Sequence, residues 1–302
     1  MYESTRKRIL KALFSCVLIG IILSVLHAAP EDKLTPAELV AKHLESIGSA
    51  EARAKVRGTR IKGTAMVTVK LCGEGQVDGE VLISSSGKMN LIDMEFNTAG
   101  YPYEHLRFDG KNFGASQFKV GSRTCLAQFF ISHDNIFKEG LVGGVLSESW
   151  PLLNLEDKNP KLEYGGLKKI DGKELHVLKY SPRKGSDLKI VLFFERDTFR
   201  HVRTEYSRVI YAMEQRRIGG GGGSMPQAQS QQASNARIDA YEEFLDFKEE
   251  AGLNLPHTYK FHLSFQSEVR PALVDWTFNL NQFEFNASLE PAAFTIGHEQ
   301  KN

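Results

Sequence analysis

Cysteine is scarce in this chain: three residues in 302, Cys16, Cys72 and Cys125. So few exclude a disulfide-dense scaffold, and Cys72 and Cys125 have no Cys or His nearby at zinc-ligand spacing. No sign of charge dominates, with 38 Lys+Arg against 37 Asp+Glu. That balance excludes the basic footprint of a nucleic-acid binder. Catalytic signatures are also missing. There is no His-Glu-x-x-His, no Gly-x-Ser-x-Gly, no phosphate-binding Walker loop and no Gly-x-Gly-x-x-Gly ahead of a helix.

What is present begins at the N-terminus. Arg6, Lys7, Arg8 and Lys11 precede an apolar run over residues 12–26, and small residues, Ala28 and Ala29, follow before Pro30. A basic start, a short apolar core and small residues make a secretory signal peptide. The run is shorter than the roughly 20 residues a spanning helix needs, so cleavage after Ala28 or Ala29 is expected, with an uncleaved inner-membrane anchor as the alternative. Cys16 is not a lipoprotein cysteine, because bulky Phe14 precedes it and most of the apolar run follows it. Removal of residues 1–29 leaves 34 basic and 36 acidic residues. The remaining chain, residues 30–302, is long enough for one large domain. Outside the cytoplasm, a disulfide between Cys72 and Cys125 is possible, and two separate thiols are the alternative.

Thr35-Pro36-Ala37-Glu38 is a capping box with proline at the first helical position. Leu39, Val40, His43, Leu44 and Ile47 follow at helical spacing, and Gly48 ends the helix. A short second helix is expected over residues 50–56. The period then changes to two. Ile61, Gly63, Ala65, Val67, Val69 and Leu71 alternate with polar residues, as in a half-buried antiparallel strand. Further strands follow around Val81, Ile83, Ile92, Met94 and Leu106, with Asp109-Gly110 as a hairpin turn. The middle departs from this pattern. Spacings of three, four and seven residues predict a helix over 124–137, and a second is expected over 141–150. Strands resume at residue 161. The segment 188–195 is apolar on both sides, so it is covered on both faces. Residues 219–235 are rich in Gly, Gln, Ser and Ala. This stretch reads as a linker, a fusion scar or a flexible loop, and the similar strand patterns on either side favour a loop within one sheet. Beyond it, Tyr241, Glu243, Leu245 and Phe247 are read as one face of a strand, residues 253–257 as a bend, and residues 259–265 and 276–280 as alternating strands. The count is about ten strands with helices before and between them. The fold class is therefore α+β, a curved antiparallel sheet that need not close, with helices covering one face.

Candidate chemistry is thin. His133-Asp134 near Cys125 is better explained as a helix face with a polar end than as a nucleophile site. Asp93, Glu95, Glu104 and Asp109 are expected on a solvated face. The aromatic load stands out, with 19 Phe, 9 Tyr and 2 Trp. In a curved sheet roofed by helices, the same face serves as core and as cavity wall.

The order of parts resembles the lipoprotein-carrier superfamily of LolA- and LolB-type periplasmic chaperones. A signal peptide and helix 36–47 lead into a meander starting at Lys62-Gly63-Thr64. The run from Leu192-Phe193-Phe194-Glu195 to His201-Val202 is similar to a strand–turn–strand of that family, and residues 241–259 to its strand–bend–strand ending in Leu-Pro-His. The tail from Phe283-Glu284-Phe285-Asn286 to Pro291-Ala292-Ala293-Phe294 resembles its last strand and terminal turn. The Gly/Gln-rich segment and the Cys72/Cys125 pair depart from the chaperone, which implies a distant relative with another lipid cargo. The resemblance implies an unclosed half-barrel with a helical lid over a hydrophobic cavity. It implies a non-enzymatic periplasmic carrier of lipid or lipoprotein acyl chains that needs no cofactor or metal and delivers to an envelope acceptor. The alternative is an envelope sensory or scaffold protein on the same fold, binding a protein partner. The expected cavity wall is Val67, Val69, Val81, Ile83, Ile92, Met94, Phe129, Phe130, Leu192, Phe194, Phe261, Trp276 and Phe278. Arg60 and Arg107 are the candidates for the arginine on which such a lid closes.

Overall fold

The computed structural model describes residues 34–71, 75–117, 122–211, 235–266 and 271–296. The expected signal peptide, Cys72 and residues 219–234 lie outside them. Two helices come first, α1 (Pro36–Ile47) and α2 (Ala50–Lys55). The capping box of α1 forms as read: the Glu38 N–H donates to the Thr35 Oγ1 at 3.2 Å, and the Thr35 N–H donates to the Glu38 Oε2 at 2.7 Å. Gly48 ends α1 at φ +148°, bridged to Leu253, and a Cβ there would lie 2.5 Å from the Gly252 carbonyl oxygen. Only glycine fits this contact.

The strands are β1 (Thr59–Leu71), β2 (Gly75–Ser86), β3 (Met89–Phe96), β4 (Tyr103–Phe108), β5 (Phe113–Ala115), β6 (Lys161–Ile170), β7 (Lys173–Ser181), β8 (Lys189–Glu195), β9 (His201–Ile210), β10 (Ala236–Glu250), β11 (Leu253–Gln266) and β12 (Ala272–Phe285). They form one antiparallel sheet of twelve in the order β5-β4-β3-β2-β1-β12-β11-β10-β9-β8-β7-β6, and it does not close. The chain therefore starts mid-sheet, runs out to the β5 edge, crosses to the β6 edge, and returns strand by strand to lie beside β1. Twelve strands at ~4.8 Å spacing would span roughly 50 Å if flat. The crossing segment carries α3 (Cys125–Ser132), α4 (Asp134–Glu139), two 3₁₀ turns (Gly144–Leu146 and Pro151–Asn154) and α5 (Leu155–Lys158). These elements lie against one face, together with α1: Phe130 of α3 is 5.4 Å from Phe261 of β11 between ring centroids, and His43 of α1 is 4.9 Å from Phe194 of β8.

Four local expectations change. The helix expected over 124–137 breaks at His133 (φ −130°, ψ 41°), and 141–150 forms only a 3₁₀ turn. Gly143 and Gly144, both at positive φ, account for that. Residues 253–257 begin β11, with Pro256 opposite Phe247, and the reversal lies at Ala251 and Gly252, both at positive φ. In β10 the buried face is Ala236, Ile238, Ala240, Glu242 and Phe244, one residue out of phase with the sequence reading. A glutamate stands where the period calls for an apolar side chain. Because the side-chain period is two, that single inversion exchanges the apparent faces.

The helix-bearing face is filled with aromatic rings. Trp150, Trp276, Tyr206, Tyr259, Phe130 and Phe244 are among its buried side chains. The outer face has two covers. The terminal turn Pro291–Phe294 buries Phe294 completely. Near the β6 edge, Leu175, Val177, Val191 and Phe193 form a cluster capped by Ile170 and Val202, with the Lys168 Nζ 5.4 Å from the Phe193 ring centroid. Strand β8 is covered on both faces, as its apolar run predicts.

Candidate functional site

One end of the helix-bearing face is not filled. A cleft of about 1180 Å³ opens there. Its apolar floor includes Ile47 of α1, Leu253 and Leu255 of β11 and Phe285 of β12, with Val56, Val145 and Leu153 alongside. The period of two directs Leu253 and Leu255 to one face of β11, and the helical period directs Ile47 toward them. The cleft is also lined by Gly110 and Lys111 in the β4–β5 turn and by Pro182, Arg183, Lys184 and Gly185 in the β7–β8 turn. These two turns lie near opposite edges of a twelve-stranded sheet, so the sheet curls far enough to bring them to one opening. Lys138, Glu139 and Lys158, from the crossing helices, stand between them.

Several polar contacts hold this arrangement. Glu148 accepts the backbone N–H of Gly58 and that of Gly87, the latter at 3.0 Å, tying the crossing segment to the start of β1 and to the β2–β3 turn. The Lys158 Nζ donates to the carbonyl of Glu139 at 2.7 Å, and the Tyr180 hydroxyl donates to the Glu139 Oε1 at 2.7 Å. Partial burial pushes the Lys158 ammonium below its ordinary range. Arg53 of α2 donates to the carbonyls of Leu44 and Gly48, closing the C-terminus of α1.

The packed part of the face contains buried ionisable groups. Glu242 accepts from the hydroxyls of Tyr206 (2.6 Å) and Tyr259 (2.8 Å) and from the Gly143 N–H (2.7 Å). Burial pushes its pKa up to about 7, against the pull of these donors. Glu104 accepts from Tyr101 (2.7 Å) and Thr124 (2.6 Å), and burial pushes it to about 7 as well. Its Oε1 has no hydrogen-bond partner among the described residues. His43 is fully buried and depressed to about 4 by burial. The Trp150 indole N–H donates to its Nε2 at 3.1 Å, which leaves the Nδ1–H to donate to the Phe199 carbonyl at 3.2 Å. Among the described residues, no group of three His, Cys, Asp or Glu side chains could hold a metal ion.

The thirteen expected cavity residues do come together on the helix-bearing face, but none lines the cleft. Twelve are buried core, and Val69 is half-buried beside Val274. The open volume lies beyond them. Arg60 and Arg107 stand on the outer face. Arg60 pairs with Glu284 at 2.9 Å, and Arg107 makes a two-pronged pair with Asp93 at 2.6 and 3.0 Å and donates to the Thr295 carbonyl. Neither reaches the helices that cover the opposite face. Of the four carboxylates expected in solvent, Glu104 is fully buried and Asp93 nearly so. His133 pairs with Asp187 at 3.0 Å, not with Asp134, and Cys125 is exposed at the other end of α3. The cleft floor was only partly visible in the sequence. Pro256 disguised Leu253 and Leu255 as a bend, and Lys138 and Lys158 carried no signal.

No protein-family model and no curated protein matches the chain. Solved structures do. A DUF1329 family protein from Desulfovibrio piger aligns at 10% identity and a TM-score of 0.47, over 89% of this chain and all of its own. A LolA superfamily protein from Nitrosomonas europaea aligns at 10% identity and a TM-score of 0.43, over 87% of this chain and 98% of its own. A domain described as an outer membrane lipoprotein-sorting protein, from Vibrio parahaemolyticus, aligns at 14% identity and a TM-score of 0.40, over 84% and 97%. Likeness at this distance assigns no ligand.

Proposed function

We propose that the protein is a non-enzymatic carrier, exported across the inner membrane on its N-terminal signal, that takes up an acyl chain of a lipid or lipoprotein in the cleft between sheet and helices. The observation that carries this reading is the cleft itself: about 1180 Å³ of open space on an apolar floor of Ile47, Leu253, Leu255 and Phe285, beside a face otherwise filled with side chains. Ligand pockets run to roughly 1000 Å³, so this one has room for a long flexible chain. Burying alkyl surface yields about 0.8 kcal/mol per methylene, which drives uptake with no energy source. Release then requires an acceptor with a better groove.

Displacement of a fluorescent fatty acid from the purified protein tests the reading, together with mass spectrometry of lipid that co-purifies from the native compartment. Val145→Trp, which sets a bulky ring over the cleft floor, is expected to weaken displacement in protein shown to be folded by its melting transition. Failure of the unmodified protein to bind any acyl probe, with no lipid co-purifying, would overturn it.

A further inference from the structure

The rim of the cleft is far more basic than the molecule. The whole chain carries 38 basic and 37 acidic residues, yet the lining holds eight Lys or Arg side chains against three Asp or Glu. Two of those three acids are already engaged, Glu148 by the backbone of Gly58 and Gly87 and Glu139 by the Tyr180 hydroxyl, with the Lys158 ammonium 4.0 Å from its other oxygen. Arg53 and Arg57 belong to α2 and the residues just after it, and the other six cations come from three further parts of the fold. Lys88 and Lys111 sit on the β2–β3 and β4–β5 turns, Arg183 and Lys184 on the β7–β8 turn near the opposite edge, and Lys138 and Lys158 on the crossing helices. Lys138 is partnered by Asp134 at 2.6 Å. Among the described residues, no carboxylate stands at ion-pair distance from Lys88, Lys111, Arg183 or Lys184, and the nearest opposite charge to Lys111 is Asp109 in its own turn, whose carboxyl it helps to lower. Like charges repel unless something of opposite sign comes between them, and a curl that converges these cations on one opening makes a focused positive field. An apolar floor beneath a cationic rim is complementary to one kind of molecule: an alkyl chain ending in a negative group.

Resting on the carrier reading above, we infer that the cargo is an anionic lipid whose phosphate headgroup is held at the rim by Lys88, Lys111, Arg183 and Lys184 while its chain lies on the floor. Neutral lipids gain the floor alone. Free phosphate gains the rim alone. Exposed pairs contribute little individually, so the selectivity comes from several acting together and is screened by salt.

The test compares phosphatidylglycerol with diacylglycerol of identical chains, which has no phosphate, each acyl-labelled and presented to the purified protein, alongside inorganic phosphate as competitor. Phosphatidylglycerol is expected to bind about tenfold tighter at low ionic strength, equivalent to about 1.4 kcal/mol, with the preference fading at high salt. A triple variant, Lys88→Glu, Lys111→Glu and Lys184→Glu, is expected to erase the preference by weakening phosphatidylglycerol far more than diacylglycerol, with an unchanged melting transition because these side chains are exposed. Equal binding of the two lipids by the unmodified protein overturns the headgroup assignment and leaves the carrier reading standing. Phosphate that occupies the rim as tightly as the lipid, with no gain from the chain, overturns the assignment in favour of a free anion. Binding of neither lipid overturns both.

Discussion

The two parts of the helix-bearing face are both apolar and behave differently. Under α3, rings from the helix meet rings from β11 and β12: Phe129 and Phe130 against Phe261, and Phe261 against Trp276. At the other end, Val145 and Leu153 of the crossing segment stand over Leu255 and Phe285 without filling the gap. Aromatic volume closes one half and aliphatic residues on short 3₁₀ turns leave the other open. An apolar face therefore does not by itself reveal a cavity. What decides is whether the covering element is a regular helix that delivers large side chains every third or fourth residue, or an irregular turn that does not.

Substitutions separate the halves, beginning with the most costly. Phe130→Ala removes a fully buried ring and is expected to cost about 3–5 kcal/mol in urea unfolding, with acyl binding per folded molecule retained. A loss under about 1 kcal/mol would mean that the packed half is looser than its contacts. Next comes the pH response of Glu242. Its folded pKa, about 7, is raised above the ordinary 4.5, so stability is fully present below the unfolded value and is lost as pH rises toward 7. Glu242→Gln is expected to gain on the unmodified protein by up to about 3 kcal/mol between pH 4.5 and 7.5, whatever the constant offset from its altered hydrogen bonds. Parallel stability profiles for the two proteins would refute a raised carboxylate. His43 has the opposite sign: depressed to about 4, it withdraws stability as pH falls below its ordinary 6.5. A smaller effect attends Thr124→Ala. Thr124 caps α3 through the Ala127 N–H at 3.0 Å and also donates to Glu104, so chemical denaturation should register a loss of about 1–2 kcal/mol. The smallest belongs to the cleft floor. Leu153→Ala, only half-buried, should cost about 1 kcal/mol or less and weaken a bound acyl probe, and unchanged probe affinity would move the ligand off this floor.

The sequence revealed the frame through its periods. The α1 capping box, the alternation of β1 and the double-sided apolar run of β8 all appear in the structure where they were read. What stayed hidden shares a physical cause. Buried carboxylates such as Glu104 and Glu242 have the pattern of surface residues until the hydroxyls that satisfy them are seen, Tyr101 and Thr124 for Glu104 and Tyr206 and Tyr259 for Glu242. Glu242 alone shifted the reading of β10 by one residue, and Pro256 made a strand look like a bend. The cleft could not be read from local pattern at all, because it is made by curvature that unites turns from opposite edges.

The meeting of β1 and β12 has a consequence for biogenesis. The first strand to be synthesised acquires one of its two neighbours only from the last, so a chain emerging amino-end first exposes the flank of Val67 and Ala65 until residues 272–285 arrive. That pairing spans over 200 residues of sequence, and such distant contacts form slowly. During synthesis the polypeptide thus carries an adhesive margin, and escorting factors that bind extended apolar segments would have their longest task at this seam.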